Sequence, residues 1–300
     1  MKKIIALLLT FVTATAFAWP TQDITLVVPY PPGGVNDQIA RFMQPDLESI
    51  LRVRVQVLNL PGAANSVAIN HVLSKPNDDH TFIITMDDFI VGPLYQNNTS
   101  YNNFKAVNVV GTVPYIMFGG PNASIKNLKQ QIQKKSTVNI GNNGINGGAY
   151  LWITNLKSPL AVNSIFYKGS SPVLTDVMAG HTEYGVSSIA ASYKFIQAGK
   201  LIPVMQSGRT RSTTYPTVPT QNELGFSGPD AVTWFAIFTR KDTPTVVVNK
   251  FSETARLIIA NNPRLQEFKT TGMNVTNLGV VESDAFFKQQ IQQFETSKNR

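Results

Sequence analysis

The chain is expected to fold as an α/β protein of two lobes, and three observations predict it. Apolar runs of strand length alternate with amphipathic helical runs along the whole sequence. Its 300 residues exceed what one hydrophobic core usually serves, yet no internal repeat or low-complexity linker divides them. Several strand-to-helix junctions consist of glycine, asparagine and serine, which leave backbone N–H groups open to a bound group. Two lobes without a linker require strands as the crossovers, with the C-terminal helices returning to the first lobe.

The first residues read as a targeting segment. Lys2 and Lys3 form a charged start, residues 4–12 an apolar stretch too short to span a bilayer comfortably, and Ala16-Phe17-Ala18 a small-x-small cleavage pattern. The expected mature chain begins at Trp19; an uncleaved anchor is the alternative. No later segment approaches eighteen uninterrupted apolar residues, so the mature protein is expected to be soluble. The absence of cysteine removes disulfides, thiolate chemistry and a lipidated N-terminal cysteine. An exported chain without an anchor stays near its cell only inside an outer membrane, which points to the periplasm.

Strands are expected over residues 24–29, 53–57, 82–85, 107–110, 116–118, 138–140, 165–167, 184–187, 202–205 and 234–238. A first helix over 38–51 places Ile39, Phe42, Met43, Leu47 and Ile50 on one side, with Pro45 expected to bend it. Shorter helical runs cover 67–73 and 150–156. Ser171-Pro172 supplies a cap and a first-turn proline for a helix that Gly180 closes. Thr243-Pro244 opens another that ends at Asn262-Pro263, and a last helix begins near Ser283 and carries Phe286, Phe287, Ile291 and Phe294.

The junction Tyr30-Pro31-Pro32-Gly33-Gly34-Val35-Asn36-Asp37 is the most informative stretch. Two prolines stiffen the exit from a buried strand, two glycines let the backbone turn, and Asn36 or Asp37 is placed to cap the helix that follows. A strand, a glycine turn and a helix N-terminus make an anion-holding device from main-chain donors. A plain connector is the alternative that these eight residues leave open. Three similar entrances occur: Leu60-Pro61-Gly62-Ala63-Ala64-Asn65-Ser66, the glycine-rich run from Gly141 to Gly148, and Tyr167-Lys168-Gly169-Ser170-Ser171. Two facing lobes would bring four helix N-termini to one cleft. A micromolar ligand needs about −8 kcal/mol, and hydrogen bonds to a charged group contribute about 1.5–3 kcal/mol each. Four to six amide, asparagine or serine donors therefore suffice for a small carboxylate. None of the four loops contains arginine, and only Lys168 brings a full positive charge.

Other chemistries lack their residues. His71, His80 and His181 are isolated and show no metal-ligand spacing, so neither metal nor cofactor is expected. No Gly-x-Ser-x-Gly elbow occurs. The run from Gly141 has the spacing G-x-x-G-x-x-G, not that of a dinucleotide site, and no acid follows near Val162. Asp78-Asp79 and Asp87-Asp88 are adjacent pairs whose side chains would point apart on a strand; they are expected to be solvated in loops or to cap helices. The net charge of +8 falls to about +6 without Lys2 and Lys3, and the basic residues are scattered without aromatic interleaving, which argues against nucleic acid.

The runs VVPYPPGGVNDQIAR, NLPGAANS, FYKGSSPVLTDVMAGH, AGKLIPV and RSTTYPTVPTQNELG occur in the order in which the receptors of tripartite tricarboxylate transporters, also called Bug proteins, carry similar ones. The chain resembles that family from about Trp19 to its C-terminus, most specifically in Pro219, Thr220, Glu223 and Gly225. The resemblance implies a two-lobed periplasmic-binding-protein (Venus flytrap, type II-like) fold, with residues 19–113 and 232–300 in one lobe and 114–231 in the other. It implies a receptor, not an enzyme, that captures a small organic anion, the family's typical ligands being di- and tricarboxylates, acidic amino acids and some aromatic acids, and hands it to integral membrane subunits; a monomer is expected. Carried over residue by residue, the family's site falls on Tyr30, Gly33, Gly34, Val35, Asn36 and Asp37, and on Ala63, Ala64 and Asn65. From the second lobe it takes Asn142, Asn143, Asn146, Gly147, Lys168, Gly169 and Ser187. Two positions depart from the pattern. Asn142-Asn143-Gly144 replaces a turn usually built with serine or alanine. Ser187-Ser188 stands where members often carry an acid facing the ligand, which favours a plain carboxylic acid over an amino acid. Two other readings remain from the sequence: a sensing partner that presents its ligand to a signalling receptor, and a secreted enzyme on the same scaffold.

Overall fold

The computed structural model describes residues 19–75, 78–142, 148–157, 160–167, 170–228 and 231–298. The chain runs through β1 (Ile24–Val28), α1 (Val35–Leu51), β2 (Val55–Asn59), α2 (Ser66–Leu73), β3 (Thr81–Met86) and α3 (Asp88–Tyr95) into a long strand, β4 (Phe104–Gly119). The next part holds α4 (Ile125–Lys134), β5 (Thr137–Asn142), α5 (Gly148–Thr154), β6 (Ala161–Phe166), α6 (Ser170–Met178), β7 (Tyr184–Ser188), α7 (Ile189–Gln197) and β8 (Ile202–Gln206). It ends with β9 (Val232–Arg240), α8 (Thr245–Asn261), α9 (Pro263–Glu267), β10 (Asn274–Leu278) and α10 (Val280–Lys298).

The first lobe is built on the order β2-β1-β3-β9-β4-β10, parallel at β2-β1-β3 and antiparallel from β3 onwards. Alternation along β3 divides its apolar residues between two layers. Phe82 and Ile84 join Ile39, Met43 and Leu47 of α1 and Phe251 and Ile258 of α8. Ile83 faces Ile69 of α2, Phe89 of α3 and Phe287 of α10. Phe82 and Phe251 stack with centroids 3.7 Å apart. Each such fully buried side chain contributes about 1.5–3 kcal/mol relative to exposure. The second lobe has the order β6-β5-β7-β4-β8, with α4 and α5 covering one face and α6 and α7 the other.

One strand serves both lobes. β4 pairs with β9 from Phe104 to Pro114 and with β7 from Tyr115 to Gly119. The sequence suggests two strands here, over 107–110 and 116–118, and Pro114, which lacks an N–H, lies between them. Instead, the proline sits where the strand leaves one ladder and enters the next. There Tyr115 N donates to Ser207 Oγ at 2.8 Å, and Ser207 N to the Tyr115 carbonyl at 2.9 Å. The helices α3, α4, α7 and α9 and the strand β10 were not expected. Gly92 and Pro93 interrupt the pattern of α3, and β10 carries only Val275 and Leu278 as apolar residues, across a register shift.

α1 begins at Val35, with Gly34 at its N-cap and no side chain capping it, and continues through Pro45. Asn36 and Asp37 therefore lie inside the first turn, not at the cap expected of them. The most specific stretch of the sequence proves to be architectural. Thr220 and Glu223 form a reciprocal capping box: Thr220 N donates to Glu223 Oε2 at 2.7 Å and Glu223 N to Thr220 Oγ1 at 3.3 Å. Gly225 follows with φ +81°, and Arg211 grips the Glu223 carboxylate from outside. The Arg211 hydrogen bond and the Thr220 N–H hold the Glu223 carboxyl down at about 2.

Candidate ligand-binding cleft

Between the two sheets lies a cleft of about 490 Å³. Five helices begin at its wall among the described residues: α1 at Val35, α3 at Asp88, α5 at Gly148, α6 at Ser170 and α7 behind Ser188. The entrances to α1, α5 and α6 are three of the four that the sequence brings forward. Those to α3 and α7 carry less glycine and are legible only once the strands before them are placed.

At the first turn, Gly34, Val35 and Asn36 line the cleft with Tyr30, Pro31 and Pro32. The Asn36 side chain is buried and its Oδ1 has no hydrogen-bond partner. Gly33 has φ +92°, a conformation that glycine adopts without cost. Its N–H does not face the cleft, because it donates to Asp37 Oδ2 at 2.8 Å. Asp37 also accepts from Arg41 Nε at 2.9 Å and from Asn59 Nδ2 at 2.9 Å. Burial opposes its charge, but Arg41, the Gly33 N–H and Asn59 together hold its carboxyl below the usual range. Gly33 and Asp37 thus form a brace behind the turn and lie outside the cleft lining.

The remaining expected residues are distributed unevenly. Ala63, Ala64 and Asn65 form a short 3-10 turn; Ala63 and Asn65 have positive φ and are not among the described lining residues of the cleft. Asn65 is buried beside Asp88 and lowers the pKa of that carboxyl. Asn142 is buried and folds back on its own strand, donating to the Ile140 carbonyl at 3.0 Å. Ser187 is buried and turned to the Ser188 carbonyl at 3.1 Å, and it is Ser188 that reaches the cleft. Asn143, Asn146, Gly147, Lys168 and Gly169 lie outside the described residues.

Asp87 and Asp88 correct the sequence reading. They are neither solvated in a loop nor capping a helix through their side chains; both line the cleft at the start of α3. Asp87 Oδ2 accepts from the Tyr115 hydroxyl at 2.7 Å and Oδ1 from the Thr233 hydroxyl at 2.6 Å. Asp88 Oδ1 accepts a short hydrogen bond from the Tyr30 hydroxyl, which also contacts Thr85 Oγ1 at 3.0 Å. Burial raises the pKa of both acids, and the neighbouring Asp87 charge helps push Asp88 to about 7. The phenols of Tyr30 and Tyr115 are pushed well up by burial and by these carboxyls. Gly148 packs directly against Tyr115 and Asp87, where a Cβ would overlap both. Among the described residues no group of three or more metal-ligating side chains gathers, and no helix is long and apolar enough to cross a membrane.

The cleft and fold have relatives. Residues 39–298 match the model of the tripartite tricarboxylate transporter family receptor. The BugT protein of Bordetella pertussis is 28% identical over 246 residues, which are 78% of this chain and 76% of that protein. A TctC solute-binding protein from Polaromonas, solved without ligand, superposes with TM-score 0.80 at 20% identity, covering 94% of this chain and 99% of the other. The MatC protein of Rhodopseudomonas palustris with bound malate gives TM-score 0.72 at 18% identity over 93% and 99%. Another R. palustris protein, solved with adipate, gives 0.77 at 22% over 94% and 97%. These solved structures share the two-lobed fold of periplasmic solute-binding proteins. By the match over residues 39–298, the chain belongs to the tripartite tricarboxylate transporter family receptors.

Proposed function

We propose that this chain is a periplasmic receptor that captures a small carboxylic acid between its lobes and delivers it to the membrane subunits of a tripartite carrier. The observation that carries this reading is the cleft itself: about 490 Å³, suited to a small metabolite, and entered by the N-terminal turns of α1, α6 and α7. Those turns present backbone N–H groups and the Ser170 and Ser188 side chains to a carboxylate. Ser188 already accepts from Ala191 N at 3.4 Å as the cap of α7, which leaves its O–H free to donate. The malate and adipate held by structural neighbours support the same ligand class. In this reading residues 1–18 are removed on export, and the lobes, divided near 113/114 and 231/232, close about the strands that join them.

A thermal-shift screen of the purified mature protein against carboxylic acids tests the proposal. Stabilisation by at least one carboxylate-bearing compound is expected. Stabilisation only by solutes that lack a carboxylate overturns it. Mass spectrometry of ligand released from natively purified protein identifies the acid.

A further inference from the structure

The cleft wall is acidic where a receptor for anions has reason to be basic. Asp87 and Asp88 both line it, and among the described lining residues there is no lysine, arginine or histidine. Neither acid has a cationic partner among the described residues. Asp87 stands at the N-cap of α3, yet its side chain accepts nothing from the N–H groups of that helix. Its two oxygens are aligned instead by the Tyr115 and Thr233 hydroxyls, from β4 and β9.

A third acceptor, independent of the two acids, belongs to a residue of the same lining. Asn36 is 4% exposed, lines the cleft from α1, and its Oδ1 has no partner. The hydroxyls of Tyr30, Tyr115 and Thr233 are already committed to the two carboxyls. A buried acceptor without a donor is costly, and a buried carboxylate without a cation more so. Among the described residues Asp88 receives one neutral amide, from Asn65, and neither acid receives a cation, so a positively charged donor on a ligand satisfies the acids best.

We propose that Asp87 and Asp88, together with Asn36, form a cation-accepting subsite, so that the acid this chain captures carries a protonated amine beside its carboxylate. This rests on the carboxylate-receptor reading and narrows it. The carboxylate goes to the helix entrances and the amine to the acidic wall. A second carboxylate at that wall meets like charge at neutral pH. The serine pair Ser187-Ser188 favours a plain acid in the sequence only because the compensating acids stand on the other lobe, at the end of β3.

Among the described residues, the titratable groups that line the subsite are Asp87 at the N-cap of α3, Asp88 in its first turn, Tyr30 of the first turn and Tyr115 of β4. Of these, Asp88 changes charge near neutrality. Amine binding therefore strengthens as pH rises from 6 to 8, while any dicarboxylate binding weakens.

The test is calorimetric titration, at pH 7.5, of protein stripped of ligand by unfolding and refolding. The probes are length-matched pairs: succinate with β-alanine, glutarate with 4-aminobutyrate, and adipate with 5-aminopentanoate. Aspartate, glutamate and n-butylammonium complete the set. The tightest ligand is expected to carry both charges and to exceed its dicarboxylate counterpart by about tenfold or more. Asp88→Asn and Asp88→Ser are expected to weaken it by about tenfold while dicarboxylate binding holds or improves. Because the wild-type preference is read without any variant, a variant that fails to fold does not rescue the idea. A dicarboxylate that binds as tightly as its amine partner overturns the subsite and leaves the receptor reading intact. Binding of butylammonium alone, with no carboxylate bound, overturns the receptor reading on which the subsite rests.

Discussion

Asp37 and the Asp87-Asp88 pair occupy equivalent places in the fold: each follows a strand of the first lobe and lies in or at the first turn of a helix beside the cleft. Their electrostatic fates are opposite. Asp37 has Arg41, Asn59 and the Gly33 N–H around it, and its carboxyl is held below the usual range. Among the described residues Asp87 and Asp88 have only hydroxyls, an amide and each other, and both are raised. A carboxylate supplied with a cation and donors by its own chain is structure. One held by neutral donors alone remains available to a ligand. Helix position does not separate the two cases; the presence of a cation does.

The largest effect is expected from removing the brace. Asp37→Ala leaves the Gly33 N–H, Asn59 and the Arg41 guanidinium without their common acceptor. It should cost about 2–4 kcal/mol, read as a lower urea midpoint at unchanged slope. A loss below that of an exposed substitution would erase the distinction between the two sites. Next, Gly148→Ala drives a methyl into Tyr115 and Asp87. A cost of about 1–3 kcal/mol is expected, with weakened binding of any stabilising ligand.

Asp88→Asn should act in the opposite direction from Asp37→Ala. The Asp88 carboxyl is raised in the folded state to about 7, so folding favours its protonated form. Stability is therefore highest below the ordinary carboxylate pKa and declines as pH rises towards 7. The neutral amide avoids that decline. Ligand-free Asp88→Asn should gain about 1–2 kcal/mol relative to wild type between pH 5 and pH 8, after allowance for solvent in the cleft. Equal pH profiles for the two proteins would argue against a raised carboxyl. The smallest effect belongs to Arg41→Ala, because the guanidinium is half exposed and Asp37 keeps its other donors. About 0.5–1 kcal/mol is expected at pH 7. Since the Asp37 carboxyl is depressed, its contribution is present above the unfolded pKa and lost as pH falls. The variant should therefore unfold at a higher pH on acid titration.

Much of this was legible in the residues. Apolar runs located β1 and β3 to within a few residues because these buried strands carry few polar interruptions, and alternation of apolar with polar residues located β2 and β5. The glycine turn at Gly33-Gly34 and the Ser170-Ser171-Pro172 start announced helices that open on the cleft. The acids were not legible. Neighbours on a strand point apart, but β3 ends at Met86, so Asp87 and Asp88 straddle a helix start and share one cavity. The groups that orient Asp87 come from 28 and 146 residues away, beyond any local pattern. Asp37 shows the converse failure: its motif invites a ligand role, while Arg41 one turn on and Asn59 at the end of β2 close it off.

The sequence by itself determined the alternation of strands and helices, the small-residue entrances and the family, because periodicity, turn chemistry and short motifs are properties of neighbouring residues. Only the tertiary structure decided which helix entrances meet, which aspartate receives a cation, and that β4 is one strand shared by two lobes. Those outcomes depend on the distances between residues far apart in the chain, and a carboxyl's charge state follows from what folding places around it.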